Sequence, residues 1–414
     1  MLRKIISNYQ GSLANRTQFV FVWTRLMATP AWCLLSMLAF ILYKNIHLSA
    51  FQITVIVALR PAASLFSPYW TQAIYQRPDR LIANLVGANL LRHLPFLFVP
   101  WVHSAWFVIF AFGLYMMLTR ATIPTWMEIF KHNLPKTKRE QIVGYGTTID
   151  YLGAAVCTVG MGILLDLYPD SWRWLFSITA GLGILSTLFL TSIAPPASTP
   201  IPSPPAVNIQ EKISKPWRQV WELVCKHKDF TFFQVGFMLG GAGLMIMHPA
   251  LPKFFIDTLH LSFVEMGLAI ALCKSIGVAL TTPLWIRLYR KINIFQLSAL
   301  VTCFATLFPF LLLATSFHVA LLYLAYALYG VMQAGSELSW HMSGLVFARE
   351  KDSSIFSITN VLTVGIRGCI IPATGALLLP FIHPLGLILL GAMLCLFASA
   401  YFLLYSRQPR TISD

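Results

Sequence analysis

The stretch that decides the fold, IHLSAFQITVIVALRPAASLFSPYW (46–70), returns further along the chain as LHLSFVEMGLAIALCKSIGVALTTPLW (259–285). His47-Leu48-Ser49 becomes His260-Leu261-Ser262, and Pro68 and Trp70 become Pro283 and Trp285, at offsets of 213 to 215 residues. Each copy is an apolar span with one base in its middle, Arg60 in the first and Lys274 in the second. Two further echoes keep the offset. GLYMMLTRATIPTW (113–126) matches ALYGVMQAGSELSW (327–340), and Gly162-Ile-Leu-Leu matches Gly375-Ala-Leu-Leu. Ordered matches at one offset mark a duplicated unit rather than chance likeness between leucine-rich segments.

The unit that is repeated is a membrane unit. Of 414 residues, 57% are hydrophobic and 11% charged, and the mean hydropathy is +0.69. Soluble chains carry about 25% charged residues. Apolar runs of about 20 residues, the length that crosses about 30 Å of hydrocarbon as helix, recur throughout. The net charge of +15 does not point to nucleic acid, because its bases gather in alternate loops as the positive-inside rule describes. One set of loops holds Arg3, Lys4 and Arg16, then Arg77 and Arg80, then Lys131 to Arg139, then the bases of 212–228, then Arg287 to Lys291, Arg349 and Lys351, and Arg407 and Arg410. The opposite loops hold little beyond Lys44, Arg173 and Lys253. Both termini and the central linker are therefore expected in the cytoplasm. The seven cysteines are scattered through apolar spans with no metal spacing and no disulfide framework. The first apolar span is too long for a signal peptide and lacks a small-residue cleavage site, so it reads as a retained helix.

Twelve spans are expected, near 18–43, 49–75, 81–101, 104–127, 142–167, 172–194, 230–257, 262–288, 293–315, 318–345, 353–380 and 384–406. The sixth and seventh are separated by a segment that opens with PPASTPIPSPP (195–205) and then becomes charged. Prolines at that density favour an extended linker. The expected organisation is a six-helix bundle over 1–194, a linker over 195–229 and a second six-helix bundle over 230–414: an all-α membrane protein of two bundles in parallel repeat. This plan resembles the major facilitator superfamily over nearly the whole chain. Local features carry the likeness too: Pro68-x-Trp70 and Pro283-x-Trp285 before the basic turns YQRPDR (75–80) and RLYRK (287–291), GMGILLD (160–166) running into SWRWLF (171–176), and LPKFFIDTLHLS (251–262). Two departures stand beside it. The family's glycine–aspartate signature after the second helix reads PYWTQAIYQR (68–77) here, with Gln72 near the acidic position and Tyr75 near the second glycine. The glycine-proline signature of its drug–proton antiporters is replaced by GAAVCTVGMG (153–162).

No catalytic constellation, phosphate loop or nucleophile elbow is present, so an enzyme is not expected, nor a cofactor or metal. The isolated histidines His47, His103, His318 and His383 sit at expected outer turns and read as interfacial anchors. The informative residues are charges inside spans, where a charge is costly and usually meets a partner or a wet cavity. Arg60 lies about 12 residues, or about 18 Å, from the outer end of its helix, and Lys274 lies at a matching depth. Arg120 and Glu337 lie towards the cytoplasmic ends of spans four and ten, Asp150 towards that end of span five, Arg367 near the middle of span eleven, Arg25 in span one and Arg92 in span three. The resemblance implies that helices 1, 2, 4, 5, 7, 8, 10 and 11 line a central cavity, which takes in all of these except Arg92. Each has a plainer reading. Arg25 reaches the interface along its own stem, Arg92 beside His93 is structural, and Arg120 with Asp150 and Glu337 with Arg367 form pairs between helices of similar depth. Arg60 and Lys274 have no acid at an obvious matching depth.

Six bases against two acids leave a positive surplus inside the membrane, which an anion in the site would balance. The expectation is a secondary transporter of a small organic anion, carboxylate or phosphate. Arg60, Lys274, Arg120, Arg367 and Arg25 contact the substrate, and Arg60 and Lys274 face each other across the pseudo-axis. Asp150 and Glu337 either carry a coupled proton or act as ion-pair latches. GGAG (240–243) followed by His248-Pro249 is either a helix break near the site or a close-packing face. Trp23, Gln234, Gln333 and Asn360 are further polar contacts. The alternatives are a proton-coupled drug exporter and a transporter-like sensor without flux. The expected setting is a multi-pass monomer in a bacterial inner membrane, with the lipid bilayer, a small solute and a co-transported proton as partners.

Overall fold

The computed structural model describes residues 2–66, 69–70, 80–135, 142, 146, 149–193, 209–348 and 354–406. Among them there is no strand. The helices are α1 (Leu2–Ser36), α2 (Leu38–Ile46), α3 (Ala50–Ala62), α4 (Leu81–Leu97), α5 (Ala105–Asn133), α6 (Ala154–Leu167) and α7 (Trp172–Leu190). They continue with α8 (Ile209–Lys226), α9 (Lys228–Ile246), α10 (Lys274–Tyr289), α11 (Ile294–Ala314), α12 (Ala320–Ala348), α13 (Ser354–Leu378) and α14 (Pro384–Ser406). Nine described helical segments are long and apolar enough to cross a membrane, with shorter apolar helices at Ala50–Phe66 and Leu81–Leu97. Leu188, Leu280, Leu377 and Leu404 are all exposed. Large apolar side chains turned outward along spanning helices are what a lipid-facing surface requires.

The repeated His-Leu-Ser is a helix-start device, and both copies are built alike. His47 and His260 are the only non-glycine residues with positive φ among those described, at 50° and 51°. The left-handed turn lets the chain leave one helix and enter the next without extra residues. Leu48 and Leu261 are buried beneath it. Ser49 and Ser262 then cap the following helices. The Ser49 hydroxyl accepts from the backbone N–H of Gln52, whose side chain accepts from the Ser49 N–H. Ser262 makes the same box with Glu265. Each box satisfies two of the donors that a helix start leaves open.

Contacts divide the chain into two compact units, Met1–Leu48 with Phe66–Asn208, and Ser49–Leu65 with Ile209–Asp414. In the first, α4 packs on α5 and α7, and α1 on α6 and α7. Gly183 of α7 leaves the space that the His93 ring fills, since a Cβ there would stand 2.3 Å from His93 Nε2. The Arg173 guanidinium donates to the Val99 and Val102 carbonyls at 3.2 and 2.9 Å, tying the start of α7 to the end of α4. Lys44 and Asp166 pair at 3.8 Å where α2 and α6 end.

In the second unit α11 packs on α12 and α14, α9 on α13 and α14, and α10 on α12. Small residues set the spacing, as expected where no hydrophobic force drives helices together in lipid. A Cβ on Gly277 of α10 would lie 2.1 Å from the Ala327 carbonyl oxygen of α12, and one on Gly330 of α12 would lie 2.1 Å from the Lys274 carbonyl oxygen. Helix α3 packs on α13 in the same unit. A Cβ on Gly368 would come within 2.1 Å of the Pro61 ring. Chain order puts α3 with the first repeat; side-chain fit puts it with the second unit. The segment expected to be extended after its prolines contains, in its described part, the 18-residue helix α8.

Candidate functional site

The second unit holds a cavity of about 350 Å³ between α9, α11, α12, α13 and the His248 turn. That falls within the range of small-molecule pockets, about 300–1,000 Å³. Phe237, Leu244, Met245 and Met332 give it an apolar body, and Tyr329, Gln333, Glu337, Trp340, His248 and Arg367 bring polar groups to its wall.

Arg367 is the best-defined of these. It is 8% exposed. Its Nη1 donates to the Phe237 carbonyl oxygen at 2.9 Å, and its guanidinium carbon lies 5.7 Å from the centre of the Phe237 ring. Gly241 makes room for it: a Cβ there would stand 1.8 Å from Nη1 and 2.1 Å from Cζ. Nε is buried with no hydrogen-bond partner among the described residues, as is Trp340 Nε1. A guanidinium held by a single carbonyl keeps most of its five donors for something else. Glu337, one turn of α12 from Gln333, accepts from the Gln333 side-chain amide at 3.0 Å.

Arg60 and Lys274 stand beside this cavity. Arg60, half-buried on α3, lies within electrostatic reach of Lys274, of His248 and of Tyr329. Lys274, also half-buried, is in reach of Glu337 as well. The expectation of no acid near Lys274 is therefore corrected: α12 brings Glu337 to it. By contact, Arg60 and Lys274 both fall in the second unit. The helix carrying Lys274 is irregular where it matters. Residues Leu268–Cys273 form a π-helical segment that ends at Lys274, and such segments re-aim the side chains that follow them. Of the two readings of span seven, the glycine run stays helical and the break comes after it, α9 ending at Ile246 and a 3-10 turn following at His248–Ala250.

In the first unit Asp150 sits in a second π-helical segment, Ile149–Gly153, and forms an ion pair with Arg25. The expected Arg120–Asp150 pair is not made; Arg120 is exposed on α5 with no ion pair among the described residues. Depth along a helix carries no information about which face each side chain takes. Arg25 also lies over the Phe21 ring, 4.8 Å from its centre. Arg92 is buried over Tyr115 at 5.3 Å, which agrees with a structural role. The expected Glu337–Arg367 pair is likewise absent from the contacts of Arg367, though both residues line the cavity.

Three of the four polar residues noted in sequence pack away from the cavity wall. Gln234 of α9 hydrogen-bonds Asn360 of α13, whose amide donates to Ser343 Oγ of α12 at 2.8 Å. Trp23 stacks on Phe19. Gln333 alone of that group reaches the cavity. Tyr329 and Trp340 line the cavity and were not among the expected site residues. Both lie within the 327–340 echo, and that was the one available signal. Residues Gln72 and Tyr75 fall outside the described residues.

A helical chain with a repeated helix-start device, an apolar outer surface and a wall of mixed charge around a cavity is a polytopic membrane protein. The family profile described as the Major Facilitator Superfamily matches residues 20–372, and the chain belongs to that family. Among solved structures of similar fold is the nucleoside transporter NupG, with a TM-score of 0.73 at 14% identity over 96% of this chain and 100% of that one. Another is a POT family transporter in complex with 5-aminolevulinic acid, with a TM-score of 0.71 at 13% identity over 95% and 96%. A third is a bacterial homolog of the human lysosomal transporter Spinster, inward-facing and unoccupied, with a TM-score of 0.62 at 12% identity over 97% and 99%. No curated sequence relative matches the chain.

Proposed function

We propose that the protein is a secondary transporter of a small organic anion, with Arg367 as the anchor for its charge. The observation that carries this reading is the imbalance of charge around the cavity in the second unit. Arg367 and Glu337 line it, and Arg60 and Lys274 lie close by, with Lys274 within electrostatic reach of Glu337. Three bases to one acid, away from bulk water, favour an anionic guest. The apolar body of the cavity favours an anion with a hydrophobic frame, such as a monocarboxylate, over a densely charged phosphate ester. Arg suits it because its planar fork meets both oxygens of a carboxylate. The solved relatives include one holding a carboxylate-bearing amino acid, which is compatible with this chemistry.

Under this reading the substrate site opens to the two faces in turn, and flux is driven by an ion or solute gradient. Asp150, which pairs with Arg25, and Glu337 are the acids available for proton coupling. The protein is proposed to sit in a bacterial inner membrane with both termini cytoplasmic. A second reading draws on the same cavity. Its mainly apolar wall and Glu337 would also suit export of an apolar cation.

The two part in a ligand-stabilisation screen. Purified protein is heated in detergent with monocarboxylates, phosphates, sugars and hydrophobic cations, and the unfolding midpoint is read. Carboxylates should raise the midpoint, and Arg367→Ala should abolish the rise. A rise with cations that persists in Arg367→Ala and is lost in Glu337→Gln would establish the second reading instead.

A further inference from the structure

Helix α8 is a long described helix too polar in sequence to span. Its sequence, IQEKISKPWRQVWELVCK (209–226), puts Pro216, Val220, Leu223 and Val224 on one stripe at the spacing of an α-helix. That stripe docks on the bundle. Leu223 is buried against Phe230, Ala348 and Phe356, and Pro216, Val220 and Val224 are half-buried. Trp217 and Trp221, one turn apart, flank the stripe and are left outside, with Trp221 71% exposed. Leaving an indole in water forfeits the largest apolar burial any side chain offers.

We propose that α8 is an interfacial helix that holds the anionic surface of the bilayer, with Trp217 and Trp221 in the headgroup layer and Arg218 and Lys228 on lipid phosphates. Connectivity fixes the depth. Only His227 separates α8 from α9, the start of a spanning segment. Trp221 lies seven residues before Lys228, so at about 1.5 Å per residue it stays within about 10 Å of the membrane boundary. Trp prefers that layer because its ring is apolar and its N–H is not. Charge matches the same partner. Lys212, Lys215, Arg218, Lys226 and Lys228 outnumber Glu211, Glu222 and Asp229 over this stretch. Basic residues near an anionic leaflet are drawn to its surface. Amphipathic helices with basic flanks and exposed tryptophan lie in the interface plane rather than across it. The function is an anchor: α8 docks on α9 and α13, so a lipid grip on α8 acts directly on two helices of the cavity wall.

The test uses the intact protein labelled with 5-fluorotryptophan in nanodiscs of phosphatidylcholine with or without phosphatidylglycerol. The ¹⁹F resonances of Trp217 and Trp221 are assigned with the Trp217→Phe and Trp221→Phe variants, and the remaining resonances report folding. Both signals should lose most of their intensity to a headgroup spin-labelled lipid and little to an aqueous gadolinium chelate. Phosphatidylglycerol should strengthen the lipid effect, and an Arg218→Ala/Lys228→Ala variant should lose that gain. Signals broadened by the aqueous chelate and indifferent to the labelled lipid would overturn the proposal. So would a lipid effect identical with and without phosphatidylglycerol, since the charge argument would then have failed.

Discussion

Arg367 and Gly241 form a unit that neither residue reveals alone. The guanidinium occupies the volume that any side chain at 241 would need. The clash in Gly241→Ala falls on the far end of a flexible side chain, which yields, whereas a Cβ at Gly277 meets the Ala327 backbone carbonyl, which does not. Gly241→Ala should therefore keep the fold, as judged by a monodisperse elution profile. It should lose anion-induced stabilisation as fully as Arg367→Ala does. Gly277→Ala should lower the unfolding midpoint itself. A Gly241→Ala protein that still responds to anions would show that the guanidinium position is immaterial. The glycine run 240–243 was readable in sequence as either a soft point or a packing face. The structure uses each glycine differently. Gly243 lies against Gly391 of α14, and Gly241 against the Arg367 guanidinium. Sequence could not separate these, because the neighbour that fills each space lies more than a hundred residues away.

The helix-start device is the element whose reading from sequence was most direct. His-Leu-Ser with Gln or Glu three residues after the serine specifies a capping box wherever it occurs, and both copies form one. Ser262→Ala should cost about 1 kcal/mol. His260→Gly should be neutral or stabilising by up to about 1 kcal/mol, because glycine adopts the left-handed turn without the clash that a Cβ brings. Chemical denaturation in detergent or thermal midpoints would check both. A stabilising Ser262→Ala would mean that the box carries no energy. Other elements were less legible for definite reasons. The π-helical segment at Leu268–Cys273 lies in uniformly apolar sequence, and that at Ile149–Gly153 offers Asp150 alone against an apolar run, so one extra residue per turn leaves no mark on either pattern. Helix α8 was hidden by the prolines of 195–205, which set the expectation for the whole linker although Ile209 onward follows helical spacing. Helix α3 was assigned by chain order, and only the fit of Pro61 and Leu65 against Gly368 and Gly365 shows what it packs on.

At the scale of the whole molecule, the duplicated plan and the count of charges inside the membrane were both legible, since both are sums over sequence. What each charge touches was not, because that depends on rotation about a helix axis. One assembly is central: a cavity in the second unit, Arg367 on its wall, and Arg60 and Lys274 alongside. A charge-assisted hydrogen bond is worth about 1.5–3 kcal/mol, so removing the anchor should weaken binding by about tenfold or more. The direct measurement is counterflow in proteoliposomes. The labelled carboxylate that stabilises the purified protein most is placed outside, with the same compound unlabelled inside. Wild-type protein should accumulate label transiently, and Arg367→Ala should fall to about one tenth of that initial rate or below. Wild-type rates in Arg367→Ala, or counterflow confined to neutral or cationic solutes, would contradict the account.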